Sequence, residues 1–279
     1  MSLKEEINAL QLFVKDGLYA EKQECKNNIE QAKELLRDQL HSTAKRRHEF
    51  KDLEWVAKFQ LSEIRVTDQP GFINKILNYV RSEALSQVIT LDSKLIESNK
   101  MHAKVADFKY KPTFYSKINL NKFGKSFNCT LGEDFTGLSP DELVRVIVSN
   151  SERQKTLESM YGQLMAPFKY MDDKRISLDI GSISKIPNKP IWDIYSMVNE
   201  LGEEFIKKYG KVKLTVVDDW IQLGVLPKNI RSEYQQVIDI RLDFAVMSLE
   251  AERKALEAQK ISFDLNKDHL KTGALLGGY

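Results

Sequence analysis

Between Met1 and Gln69 the chain contains no proline and a single glycine, Gly17. Nothing in that stretch forces the backbone out of a helix. Cysteine is almost as scarce. Cys25 and Cys129 are the only two, they lie on different expected elements, and neither belongs to a CxxC pair. A disulfide scaffold is therefore excluded, and reduced, inert thiols are expected. The four histidines, His41, His48, His102 and His269, share no metal-ligand spacing, so no zinc site is expected. No apolar run approaches the roughly 20 residues that span a bilayer. The acidic start, Met1-Ser-Leu-Lys-Glu-Glu, has no apolar signal core behind it. The expected setting is intracellular, or a virion, with no membrane partner. Charge of one sign is lacking too: the net charge is only +2, which implies no general affinity for nucleic acid.

What is present fits an ordered chain with a real core, since apolar residues make up 42% and charged residues 29% of 279. The proline-free stretch carries a seam through Leu18, Cys25, Ile29, Ala32 and Leu36, and a stronger apolar face through Phe50, Leu53, Ala57 and Ile64. This spacing predicts one long helical arm from Leu3 to about Arg65, stopped by Asp68-Gln69-Pro70-Gly71. A second arm follows through Ile73, Leu77, Val80, Ala84, Val88, Leu91 and Leu95. Two long helices across a short turn predict an antiparallel, coiled-coil-like hairpin over 1–107. Trp55, Val56 and Phe59 widen the apolar face of the first arm, and burying them would call for a partner.

Residues 108–138 hold five lysines against two acids. Alternation through Phe114, Ser116, Ile118 and Leu120, and again through Phe127, Cys129 and Leu131, predicts a β-hairpin. Lys109, Lys111, Lys117, Lys122 and Lys125 are interleaved there with Tyr110, Tyr115 and Phe123. Ammonium groups beside aromatic faces suit single-stranded nucleic acid, which they hold by phosphate neutralisation and stacking. The same pattern also describes a sheet edge with lysines toward water. Tyr110 and Tyr115 fall outside the apolar phase and are the better stacking candidates.

Ser139-Pro-Asp-Glu142 spells a capping box opening a helix. Strands are expected near Arg175–Ile186 and Lys211–Val217, with a helix from Ile191 to Tyr209 between them. Pro227 opens a predicted long helix to about Lys260, whose end, Glu250 to Gln259, has the composition of a solvated helix. The tail, 262–279, carries Leu270, Leu275, Leu276 and Tyr279, which need burial on the body or on a partner.

Three chemical motifs are weak. Gly124-Lys125-Ser126 lacks the earlier glycine of a phosphate loop, because position 119 is asparagine. Pro140-Asp141 with Asp172-Asp173-Lys174 has the spelling of a metal-dependent nuclease, but Pro-Asp opens a helix. Asp218 to Arg231 has a helix-turn-helix rhythm, with Trp220 where a small residue belongs and two acids facing the phosphates. No cofactor fingerprint occurs, and none is expected to bind.

The expected fold is α+β and mostly α. It comprises a helical hairpin over 1–107, a small mixed domain over 108–217, a short helix, turn and long helix over 218–261, and a tail over 262–279. The expected function is a non-enzymatic structural or assembly subunit, in the manner of a virion connector. It would bind copies of itself or other subunits through Trp55, Val56, Phe59 and the tail. A module for single-stranded nucleic acid centred on 108–128 is the alternative, and a metal-dependent nuclease is third.

Overall fold

A computed structural model describes residues 3–127, 133–258 and 260. The protein is α+β and mostly α. In chain order the main elements are α1 Leu3–Lys15, α2 Leu18–His41, β1 Arg47–Phe50, β2 Trp55–Thr67, α3 Gln69–Tyr79, α4 Leu85–Val88, β3 Ile89–Leu91, α5 Ser93–Ser98 and α6 His102–Val105. There follow β4 Phe114–Leu120, α7 Lys122–Ser126, α8 Pro140–Met165, β5 Arg175–Leu178 and β6 Gly181–Pro187. The last are α9 Ile194–Leu201, α10 Glu203–Tyr209, β7 Gly210–Val212, α11 Leu214–Gln222, α12 Ile230–Tyr234, β8 Gln235–Ser248 and a helix over 249–258.

The chain divides into two compact units, neither contiguous in sequence. The first comprises Met1–Gln60, Phe114–Pro187 and Leu242–Tyr279, and the second comprises Leu61–Thr113 and Asn188–Arg241. Strands β2 and β8 each pass from one unit into the other.

In the first unit the long antiparallel helix pair is α2 with α8. Glu21 meets Arg153, Asn28 meets Asn150, and Gln39 donates to the Leu138 carbonyl. The predicted seam is present, with Cys25, Ile29, Ala32 and Leu36 buried. Its partner is α8 rather than residues 73–95. The capping box forms as the sequence predicts: the Glu142 N–H bonds Ser139 Oγ, and the Glu142 carboxylate accepts from the Ser139 N–H at 2.7 Å. One core of this unit gathers Ile29, Leu36, Phe50, Ala57, Phe59, Leu143 and Ile147. Another packs Leu10 and Val14 of α1, with Phe168, beneath a three-stranded antiparallel sheet of order β4-β6-β5.

The first arm does not stay helical beyond His41. Residues 47–50 and 55–67 are strands, because Trp55, Val56, Phe59, Ile64, Val66 and Thr67 are β-branched or aromatic and the helical phase through Phe50, Leu53 and Ala57 is coincidental. Asp68 then caps α3, accepting from the Gly71 N–H, with Pro70 in the first turn. The second arm is broken as well. Val80 is extended, 89–91 is a strand, and Asp92 caps a new helix. There the buried residue is Ile96, while Leu95 is 41% exposed. The expected long C-terminal helix keeps only 230–234 and 249–258, with a 14-residue strand between them. The expected strand over 211–217 becomes helix after Val212.

The second unit has one core. Phe72, Ile73 and Ile76 of α3 meet Val88, Ile96, Trp192, Met197, Ile206 and Ile230. No helix among the described residues is long and apolar enough to cross a membrane.

Candidate functional site

The basic and aromatic residues of 108–128 are shared between the units. Lys109, Tyr110 and Lys111 belong to the second, and Tyr115, Lys117, Lys122, Phe123 and Lys125 to the first. In the second unit Tyr110 is 48% exposed. The Lys109 ammonium sits 5.2 Å from the centre of the buried Trp192 ring, so its charge already has an aromatic partner.

In the first unit β4 alternates as predicted. Ile118 is buried, whereas Tyr115, Lys117 and Asn119 face outward. The partner of β4 is β6: Tyr115 lies opposite Ile186, Lys117 opposite Ser184 and Asn119 opposite Ser182. Arg175 of β5 flanks Ser184 on the other side. This face of the sheet therefore carries Tyr115, Lys117 and Arg175 exposed around the half-buried Ser184 and Ile186, with Ser182 buried, and Asn119 donates to Ser184 Oγ at 3.0 Å. The expected return strand over 127–131 lies mostly outside the described residues. Lys122 to Ser126 is a one-turn helix capped by Asn121, which accepts from the Gly124 N–H at 2.8 Å. Phe123 is 52% exposed and touches Phe127 edge to face. Gly124 is required by packing, since a Cβ there would stand 2.1 Å from the Ile180 carbonyl oxygen. That contact accounts for the glycine without a phosphate loop.

Trp55, Val56 and Phe59 are placed inside the first unit rather than offered to a partner. Val56 and Phe59 are buried, and Trp55 is half-buried against the same core as Phe244 and Val246. Leu270, Leu275, Leu276 and Tyr279 lie outside the described residues. The helix-turn-helix rhythm resolves into a structural turn: α12 has five residues, and Arg231 makes a two-pronged bond to Asp218 at 2.6 and 2.7 Å.

Each unit has a cleft. That of the second, about 340 Å³, is lined by Lys104, Asp107, Asp193, Ser196 and Glu200. Asp193 is occupied as the cap of α9, accepting from the Ser196 N–H and Oγ. The other, about 260 Å³, runs between α2 and α8 past Glu21, Cys25, Asn28, Glu133 and Arg153. There the Arg153 guanidinium holds the Glu21 carboxyl below its usual range, and burial pushes the Cys25 thiol up. Both effects tie these groups to the helix pair and give neither a reactive form.

The surface that sequence reasoning missed is the ribbon of β2 and β8 in the second unit. The two strands are neighbours in one sheet. Gln235 Nε2 donates to Thr67 Oγ1 at 3.0 Å, so those side chains share a face. Strand alternation then puts Leu61, Glu63, Arg65, Val237, Asp239 and Arg241 on that face and Ser62, Ile64, Val66, Gln236, Ile238 and Ile240 on the other. Ile64, Val66, Ile238 and Ile240 are 36%, 53%, 61% and 56% exposed. The signal was in the sequence as the alternation Ile238-Asp-Ile-Arg-Leu-Asp-Phe244. No protein-family model, curated protein or solved structure matches the chain.

Proposed function

We propose that this chain is a non-enzymatic assembly subunit that works by binding other protein chains. The observation that carries the reading is the exposed apolar face of the β2–β8 ribbon. A two-stranded ribbon is marginally stable in water, and contiguous exposed apolar side chains mark interaction surfaces. Light-scattering mass of the full chain between 1 and 100 µM (roughly the range in which modest interfaces populate) tests the reading. An oligomer is expected. A compact monomer throughout that range would end self-assembly.

A second reading rests on the outer face of β4. Tyr115 is 42% exposed beside Lys117, with Arg175 across the sheet. A single nucleic-acid strand would stack on the tyrosine and neutralise its phosphates on the cations. Binding would weaken by about 0.7 log units per tenfold salt for each phosphate contact. A folded Tyr115→Ala variant would lose about 1–3 kcal/mol. An oligonucleotide that does not bind at low salt dismisses this reading.

A further inference from the structure

The ribbon has two faces and also an open edge. Among the described residues its sheet has the order β1-β2-β8, which leaves β8 at the border. Its residues 236–242 are all exposed. At the middle of that stretch the Ile240 N–H bonds the carboxylate of its own neighbour, Asp239, at 2.8 Å.

The residues around Ile240 match themselves in reverse. If a second β8 runs antiparallel beside the first, with the two-fold axis at Ile240, then Ile240 meets Ile240. Asp239 meets Arg241 of the other copy, and Arg241 meets its Asp239. Opposite charges fall across from each other twice, on one face, and isoleucines fall together on the other. A shift of the axis by one residue to Asp239 would set Asp239 against itself, and a shift to Arg241 would set Arg241 against itself. Like charges directly opposite are unfavourable, so the register is specified as well as the partner.

We infer that β8 is the site of homotypic strand pairing, in which two copies of this chain join β8 to β8 antiparallel about Ile240. This rests on the assembly reading and names its partner and surface. The ribbon becomes four strands wide, enough for an independently stable sheet, and both open β8 edges are removed.

Disulfide trapping and mass together form the test. In a Cys129→Ser background, Ile240→Cys is expected to give a covalent dimer on mild oxidation. Directly opposed residues of antiparallel strands lie about 4.5–5.5 Å apart at Cα, within disulfide reach. Val237→Cys, about 20 Å from its own copy in this register at ~3.3 Å per residue, is expected to stay monomeric on the same gel. By light scattering, Asp239→Arg is expected to weaken the dimer at least tenfold, and the swap Asp239→Arg with Arg241→Asp to restore it. Circular dichroism of every variant is expected to match the parent. A wild-type monomer at 100 µM would overturn both self-assembly and this pairing. An oligomer in which Ile240→Cys forms no cross-link, or that is indifferent to Asp239→Arg, would overturn the pairing alone.

Discussion

Arg47 and Glu252 are 205 positions apart in the sequence and 2.7 Å apart in the fold. Lys58 reaches the same carboxylate at 3.1 Å. Glu252 is the one buried residue among those described in the terminal helix, and its two cations come from β1 and β2. The charge-assisted bonds thus fasten the C-terminal helix of the first unit onto its sheet. The Arg47 hydrogen bond, with that of Lys58, holds the Glu252 carboxyl below the usual glutamate range despite its burial.

Glu252→Gln removes the negative charge and leaves both cations. A loss of about 1.5–3 kcal/mol is expected at neutral pH, the range for hydrogen bonds to charged groups. The sign of the pH dependence follows from the lowered value. The contribution is complete above the unfolded-state pKa and is lost as pH falls through the lower folded-state one, below roughly pH 4.3. Urea unfolding of both proteins at pH 7 and pH 3 measures this. A gap that does not narrow at pH 3 would show that the carboxylate charge is not what the pair contributes.

The α2–α8 pair offers a comparison of magnitudes. Arg153 bonds Glu21 at 2.6 and 2.7 Å, but both side chains are more than a third exposed. Arg153→Ala is therefore expected to cost at most about 1 kcal/mol. Ile147, fully buried between the helices, is expected to cost about 2–5 kcal/mol on change to alanine. Denaturant midpoints for the two variants decide whether packing or the ion pair holds the helices. Equal losses would refute the packing account.

Two glycines of the first unit should respond in opposite directions. Gly124→Ala drives a methyl into the Ile180 carbonyl and is expected to cost about 1–3 kcal/mol. Gly162 lies inside α8 with open space around its Cα, so Gly162→Ala is expected to add about 0.5–1 kcal/mol. Thermal unfolding of the pair reads both signs. A neutral Gly124→Ala would mean that α7 is not packed against β6.

Cys25 is buried, and burial raises its thiol pKa. In a Cys129→Ser background a thiol reagent at pH 8 is expected to label native protein far more slowly than urea-unfolded protein. Rapid labelling without denaturant would show that α2 opens readily from α8.

Some of this was legible in the sequence because the information was local. Ser139 and Glu142 cap α8 with four residues, and the seam Cys25, Ile29, Ala32, Leu36 buries one face of α2. The phase of β4, with Ile118 inward and Tyr115 and Lys117 outward, also needed only alternation. The partners were not legible. Nothing near Leu36 says that it packs on 140–165, and nothing near Phe114 says that its strand pairs with 181–187. Residues 55–67 and 235–248 satisfy a helical spacing when read in steps of three and four, and a strand spacing when read in steps of two. What settles them as strands is their pairing with each other across the length of the chain. The candidate surface was missed for the same reason: Ile64, Val66, Ile238 and Ile240 become one patch only once that pairing exists.

The passage of β2 and β8 through both units sets the order in which the chain can fold. During synthesis α2 and β1 emerge early, but Phe244, Val246 and Glu252, which complete the first unit, emerge more than a hundred residues after α8 begins. The second unit finishes first, at Arg241. Until then the apolar sides of β2 and of the α2–α8 pair wait without their cover. A chain halted before β8 would present that surface to every other nascent copy, so its yield should depend on chaperones more than its size suggests.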